Sequence, residues 1–389
     1  MSEGASSSEV KVMFPIKLIS WSLDGLNGES STTPILLQDQ NGPCPLIALV
    51  NTVVLQFDLR NSQFDGGILS QSDKQYEGVK NLKSKLFSHF YSSSSIELGD
   101  TLGLVADLLL VHAEETIQHE VVDNILQQLP KLHTGLDVDP NLTNGDFAQD
   151  LATTLFEIFD LKFKHGWVLG EGKESGYADD ESIQEPLSIL QELQTFDRVQ
   201  DYLLLSDTNP TIAENQQLLR QWLDATCSQL TQQGLNKLDQ DLPSPQFLIF
   251  FRNNHFNTLL KKSRNELYLL ITDSSFQSKN GKLVWQSLNS VSGDGDIFFT
   301  GDFMPVLDIN QDIDQEGGTF DSDMMLSRQL QEEEDAAMAR KMQEKYERRK
   351  TRQSTKATNA KDTVETKLPA KEPPEEKKKK RFFGLISRK

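Results

Sequence analysis

The chain is predicted to fold as an α+β protein. Stretches of helical character dominate its middle, and strand-like stretches cluster between residues 247 and 285. That segregation of helices from strands is the mark of an α+β layout. With 389 residues it is long enough to bury a full core, as one large domain or two smaller ones.

Residues 1–12 form a Ser- and Glu-bearing polar leader. It lacks the apolar h-region of a signal peptide, and a disordered leader is expected. Residues 16–21 suit a strand, 25–33 a turn-rich loop, and 34–37 lead into a Cys-bearing segment. Residues 46–54, Leu-Ile-Ala-Leu-Val-Asn-Thr-Val-Val, are apolar on nearly all sides, as in a buried helix. Further helices are predicted over 78–91, 100–111, 115–129, 148–159, 187–194 and 213–234. The last has start punctuation in Asn209-Pro210 and a stop in Gly234. Residues 247–252, 257–260 and 266–272 read as one antiparallel meander, with a fourth short strand over 283–285 after the Asn280-Gly281 turn.

The folded body is predicted to span 13–307. An acidic, Gly-bearing linker follows over 308–320. Residues 321–349 are rich in strong helix formers. Residues 350–389 form a tail short of large apolar residues until its end, and disorder is expected there.

Composition narrows the function. The net charge is −19, but it is split. Residues 340–389 hold 18 Lys/Arg against 7 Asp/Glu, a surplus of +11, so residues 1–339 carry −30. An acidic body argues against nucleic acid as the main partner and suits a basic one, although a merely solubilising surface has the same charge. The two cysteines, Cys44 and Cys227, make neither a disulfide framework nor a Cys-based zinc site, which points to a reducing, cytoplasmic setting. No run of about 18 apolar residues is present to span a membrane. No metal or cofactor is expected. His112, Glu114, Glu115 and His119 lack the His-Glu-x-x-His spacing and fit a solvated helix face. Cys227 is expected to be a small packed residue in a helical stretch.

Two segments carry the chemistry. The first is Gln38-Asp39-Gln40-Asn41-Gly42-Pro43-Cys44-Pro45-Leu46, and the second is Phe250-Phe251-Arg252-Asn253-Asn254-His255-Phe256. A thiol has an ordinary pKa of about 8.5 and must lose its proton to attack. The Gly42-Pro43 turn followed by Pro45, a residue favoured at the first helical position, would put Cys44 at a helix N-terminus, where the dipole favours a thiolate. His255 is the candidate base. Gln38, Asn41 and the Cys44 N–H are candidate oxyanion donors, each worth roughly 3–4 kcal/mol where such donors have been removed. A lone Cys and a lone His so far apart would equally fit a buried hydrophobe and a loop histidine. The flanking residues decide between them. His165, in His165-Gly166-Trp167, is a second candidate base but better suits a structural or substrate-contact role.

That context resembles the MINDY family of deubiquitinases. The resemblance lies in the two segments above and in Gly135-Leu136-Asp137-Val138, His165-Gly166-Trp167, Ser228-Gln229-Leu230-Thr231 with Gly234-Leu235, Tyr268-Leu269-Leu270 with Thr272-Asp273, and Val284-Trp285 with Ser287-Leu288. These matches run in order over roughly residues 16–305. The resemblance implies a papain-related cysteine protease domain, with a helical subdomain and an antiparallel sheet, that cleaves isopeptide bonds in polyubiquitin, preferably lysine-48-linked chains. It implies Cys44 as nucleophile, His255 as general base and acid, and Gln38 as the oxyanion residue; Asn41, Asn254 and Asn257, close by in sequence, are the expected supporting residues. Two positions depart from the family. Asn257 stands where a Ser is frequent, and Asp39-Gln40 replaces a smaller pair.

Beyond the body, Leu326-Ser327-Arg328-Gln329-Leu330-Gln331-Glu332 recurs 12 residues later as Met338-Ala339-Arg340-Lys341-Met342-Gln343-Glu344. Each copy makes a narrow apolar stripe with a small residue beside it: Leu326, Ser327 and Leu330, then Met338, Ala339 and Met342. The pattern resembles the ubiquitin-interacting helices that members of this family carry, and two weak copies would gain through effective concentration. A charged single helix is the plainer alternative. The basic run 377–381 with Phe382, Phe383, Leu385 and Ile386 suits weak contact with an anionic membrane surface, at about 1 kcal/mol per basic residue, or a nuclear localisation patch. The sequence thus predicts a thiol deubiquitinase, with a ubiquitin-binding adaptor of little turnover as the alternative.

Overall fold

The computed structural model describes residues 11–25, 28–38, 44–63, 73–113, 119–170, 185–206, 209–276, 282–293 and 296–306. Asn41 and the expected linker, the helix over 321–349 with its Leu326, Ser327, Leu330, Met338, Ala339 and Met342, and the basic tail lie outside the described residues.

Two sheets and a set of helices make an α+β fold, as the sequence predicts. The smaller sheet has the order β2-β1-β3, antiparallel throughout. Its strands are β1 (Met13–Trp21), β2 (Ser31–Leu36) and β3 (Ser95–Glu97). The larger sheet runs β4-β5-β6-β7-β8-β9. It comprises β4 (Phe163–His165), β5 (Gln246–Arg252), β6 (His255–Ser263), β7 (Glu266–Leu270), β8 (Trp285–Ser287) and β9 (Phe298–Phe299). The expected meander is β5 to β8. The fourth strand lies two residues later than the sequence suggests, because Leu283 and Val284 are spent in the approach and Trp285 opens the ladder to Leu270. Strand β4 adds a parallel neighbour to β5. It was not legible locally, being three residues long and paired to a strand more than eighty positions away.

The helix α1 (Pro45–Gln63) joins the two sheets. Over 46–55 it is apolar on nearly all sides because it is covered on all sides. Leu46, Ile47, Leu49, Val50, Val53 and Val54 enter one core cluster with Phe156, Phe163, Phe251 and Phe256. Leu55 and Leu59 enter a second with Trp21, Phe247, Leu260 and Trp285. Each such side chain contributes roughly 1.5–3 kcal/mol on burial. Around α1 stand α2 (Asp73–Ser93), α3 (Leu98–Ala113), α4 (His119–Gln128), a 3-10 turn (Leu129–His133) and α5 (Leu151–Ile158). A separate apolar cluster is built from α6 (Glu185–Leu193), α7 (Phe196–Leu203) and α8 (Pro210–Ala225), around Trp167, Leu190, Val199 and Leu219.

Three expectations need correction. The single helix over 213–234 is two. Asn209 and Pro210 do start α8, but it ends at Ala225, and α9 (Gln232–Asp241) begins anew with Thr231 as its N-cap. Gly234 stops nothing; it lies in the first turn of α9. Between the helices Leu230 pairs with Gly166, and the break falls on Thr226-Cys227-Ser228, which are poorer helix formers than the residues on either side. Cys227 falls in that break and is exposed, not packed. His112 is buried rather than solvated, with Nδ1 against the Leu108 carbonyl at 2.9 Å and its ring on Phe159.

Candidate active site

Cys44 immediately precedes α1, and Pro45 is the first helical residue, as the Pro spacing predicts. The Cys44 carbonyl accepts from Ala48 N–H at 3.3 Å, which makes Cys44 the cap residue of the helix. The N–H groups of Leu46 and Ile47 face its sulfur. A side chain there receives the positive end of the helix dipole together with two otherwise unused backbone donors.

The same helix fixes the approach of Gln38. Asn51, two turns beyond Cys44 and fully buried, takes the Leu36 N–H on Oδ1 at 2.7 Å and gives Nδ2–H to the Leu36 carbonyl at 2.9 Å. It thus pairs with the end of β2 as a neighbouring strand would. Gln38 follows two residues later. Its N–H donates to Thr272 O at 2.8 Å and its carbonyl accepts from Ser274 N–H at 3.0 Å, so it is bound to the segment that leaves β7. Asn51 was missed as a site-building residue. Its signal was there, as the first polar residue in an otherwise apolar stretch.

The second segment is a hairpin. Arg252 pairs with His255 across a turn made by Asn253 and Asn254, whose φ values are 49° and 61°. Two left-handed residues in a two-residue loop make a type I′ turn, which Asn tolerates. The Asn pair is therefore a turn, and Asn254 shapes the backbone just ahead of His255. His255 opens β6, half-buried, opposite Arg252, and Asn257 lies opposite Phe250. Asn257 Nδ2 reaches the His255 carbonyl at 3.4 Å, a weak contact.

Contacts between α1 and the sheet set the two segments in register. Thr258 Oγ1 meets Thr52 Oγ1 at 2.9 Å and the Ala48 carbonyl at 3.4 Å. Further along, Gln56 Oε1 accepts from Phe247 N–H at 2.9 Å, and Phe247 pairs with Leu260. Helix and strand β6 therefore run the same way, and Cys44 and His255 lie at the same end of their contact. Phe256 shares a core cluster with Cys44.

The thiol is held neutral. Cys44 is 7% exposed, and its Sγ–H donates to the Leu132 carbonyl at 3.9 Å. Burial pushes its pKa up to about 11 against the opposing pull of the Ile47 and Leu46 N–H groups. The expected lowering by the helix terminus is present but smaller than the desolvation.

The whole region matches a known family. A family model described as MINDY deubiquitinase covers residues 12–303.

The chain belongs to the MINDY deubiquitinase family.

Among curated relatives, it is 31% identical to the ubiquitin carboxyl-terminal hydrolase MIY1 of Saccharomyces cerevisiae, over 84% of this chain and 84% of that one. It is 29% identical to the ubiquitin carboxyl-terminal hydrolase MINDY-1 of Pongo abelii, over 86% of this chain and 62% of the relative. With MINDY-2 of Homo sapiens it shares 26% over 87% of this chain and 51% of the relative. It thus spans most of the yeast protein's length and little more than half of the mammalian ones.

In this MINDY chain His165 takes no part as a base. It is 2% exposed. Its Nδ1 accepts from Trp167 N–H at 3.1 Å, so Nε2 carries the proton and meets the Asp146 carbonyl at 2.9 Å. Burial lowers its pKa to about 4. A histidine depressed in the folded state contributes stability that is complete above the unfolded pKa near 6.5 and is lost as pH falls through 4. The loss amounts to about 3 kcal/mol. Urea unfolding at pH 7 and pH 4, with wild type beside His165→Gln, isolates this contribution: the stability lost on going to pH 4 should be about 3 kcal/mol smaller in the variant. An unchanged difference in that variant would refute the assignment.

Proposed function

We propose that this chain is a thiol-dependent deubiquitinase with a papain-related catalytic domain, hydrolysing isopeptide bonds in polyubiquitin and preferring lysine-48-linked chains. The observation that carries the reading is Cys44 capping α1, at the end of that helix where the His255 hairpin stands. In the reaction, Cys44 turns from the Leu132 carbonyl and gives its proton to His255. The thiolate attacks the isopeptide carbonyl. Gln38, with Asn41 and backbone N–H groups, holds the oxyanion. His255 then protonates the leaving lysine amine, and water activated by the same imidazole releases the ubiquitin thioester. Asn254 shapes the turn and Asn257 lies beside His255 on β6. The linkage preference and the cytoplasmic setting rest on family resemblance and cysteine usage. Residues 321–349, if they form the helix that their sequence predicts, would retain polyubiquitin through Leu326, Ser327, Leu330, Met338, Ala339 and Met342.

The high pKa of Cys44 favours one competing reading, an adaptor that binds chains and turns over little. Ubiquitin tetramers of each linkage, incubated with the purified full chain and resolved on gels over time, separate the two. Cleavage confined to lysine-48 chains is expected. Binding of tetramers without cleavage of any linkage would replace the enzyme by the adaptor.

A further inference from the structure

The hairpin that presents His255 is held from outside by the break between α8 and α9. Asn253 N–H, which in a free two-residue turn faces water, donates to Gln229 Oε1 at 2.9 Å. One residue earlier Arg252 gives Nε–H to the Ser228 carbonyl and Nη2–H to the Val291 carbonyl, both at 2.9 Å. Gln229 itself has φ 51°, and its N–H donates to the Thr226 carbonyl at 2.9 Å. A non-glycine residue keeps that conformation only where its surroundings impose it, and such positions gather at functional sites. The surroundings are visible. Thr226 Oγ1 accepts from Trp167 Nε1 at 2.7 Å, and Thr231 donates its N–H to the Gly166 carbonyl at 3.0 Å and its hydroxyl to the Val168 carbonyl at 2.6 Å. Residues 226–231 thus tie the segment following β4 to the turn that carries His255.

We propose that Gln229 is a positioning residue for His255. Its amide carbonyl fixes the peptide between Arg252 and Asn253, and with it the direction in which the imidazole leaves the start of β6. This rests on His255 being the general base, as proposed above. A displacement of about 1 Å in a catalytic group is enough to cost up to 10²-fold in rate.

The test uses the full chain and the ubiquitin tetramer linkage that wild type cleaves, with kcat, KM and the thermal midpoint measured together. Gln229→Ala is expected to lower kcat about tenfold, with KM within about twofold and the thermal midpoint nearly unchanged. Gln229→Glu keeps an acceptor oxygen at the same place and should restore most of kcat. If Gln229→Ala fails to fold, Gln229→Met keeps the stem without the acceptor and is held to the same criterion. A wild-type kcat without the acceptor overturns the proposal. So does a loss that tracks the thermal midpoint and is not restored by Glu. His255→Ala separates the two levels. If it still turns over, the base assignment falls and the brace with it. If it is inactive while Gln229→Ala runs at the wild-type rate, only the brace falls.

Discussion

Replacing Cys44 with Ala is expected to abolish cleavage of polyubiquitin while leaving the fold in place. The sulfur is the protein atom that bonds to the acyl carbon in the proposed mechanism, and loss of a nucleophile costs on the order of 10⁵–10⁶ in kcat where this has been measured. The structural cost is small. Cys44 caps α1 with its backbone as well as its side chain, and the Ala48 N–H still finds the residue 44 carbonyl. The Leu132 carbonyl loses only a 3.9 Å contact with sulfur. The cavity left by one sulfur in the cluster around Phe251 and Phe256 costs about 1 kcal/mol. The variant should therefore unfold within a few degrees of wild type and still bind chains. Cys227→Ser is the companion control, because Cys227 is exposed, and its rate should not change. Residual cleavage by Cys44→Ala within tenfold of wild type, or lost cleavage in Cys227→Ser, would move the nucleophile elsewhere.

The local parts of this site were legible in the sequence, and the parts made by distant contacts were not. Pro45 after Cys44 announces a helix start because proline gives up only an N–H that no helix start uses. Asn253-Asn254 before an apolar alternation announces a type I′ hairpin. Both signals depend on a few adjacent residues. The break over 226–231 has a weaker signal, the Thr226-Cys227-Ser228 run and Thr231 as an N-cap. Gln, Leu, Glu and Lys run through it on either side, and it exists because Leu230 docks against Gly166. His112 misled for a related reason. Its charged neighbours in sequence suggested solvent, yet packing of α3 turned its ring toward Phe159. Burial of Cys44 under the Leu132 carbonyl, and hence its raised pKa, likewise depends on a segment 88 positions away.

Gly234→Ala tests that non-local docking where it is tightest. In an exposed helix interior the change would stabilise by about 1 kcal/mol, since alanine orders more readily than glycine. At this position the opposite is expected. A Cβ on Gly234 would stand 1.8 Å from the Gly166 carbonyl oxygen and 2.4 Å from its carbon, against backbone that cannot swing aside. The approach is close from the other side too, where a Cβ on Gly166 would meet Leu230 Cδ1 at 2.3 Å. Moving α9 away breaks the Thr231 N–H bond to the Gly166 carbonyl at 3.0 Å and unseats Leu230, which is 1% exposed. The sum is about 3–4 kcal/mol of lost stability. Because Thr231 and Leu230 follow directly on Gln229, the hairpin that presents His255 should loosen too, and turnover should fall even well below the unfolding midpoint. Gly103→Ala in α3 is the counterpart, since a Cβ there meets nothing within 4 Å, and it should gain stability. Urea unfolding of the two variants beside wild type gives opposite signs if the close approach of α9 to Gly166 is real. A gain in both would mean that the approach is loose, and that residues 226–231 do not restrain the hairpin from that side.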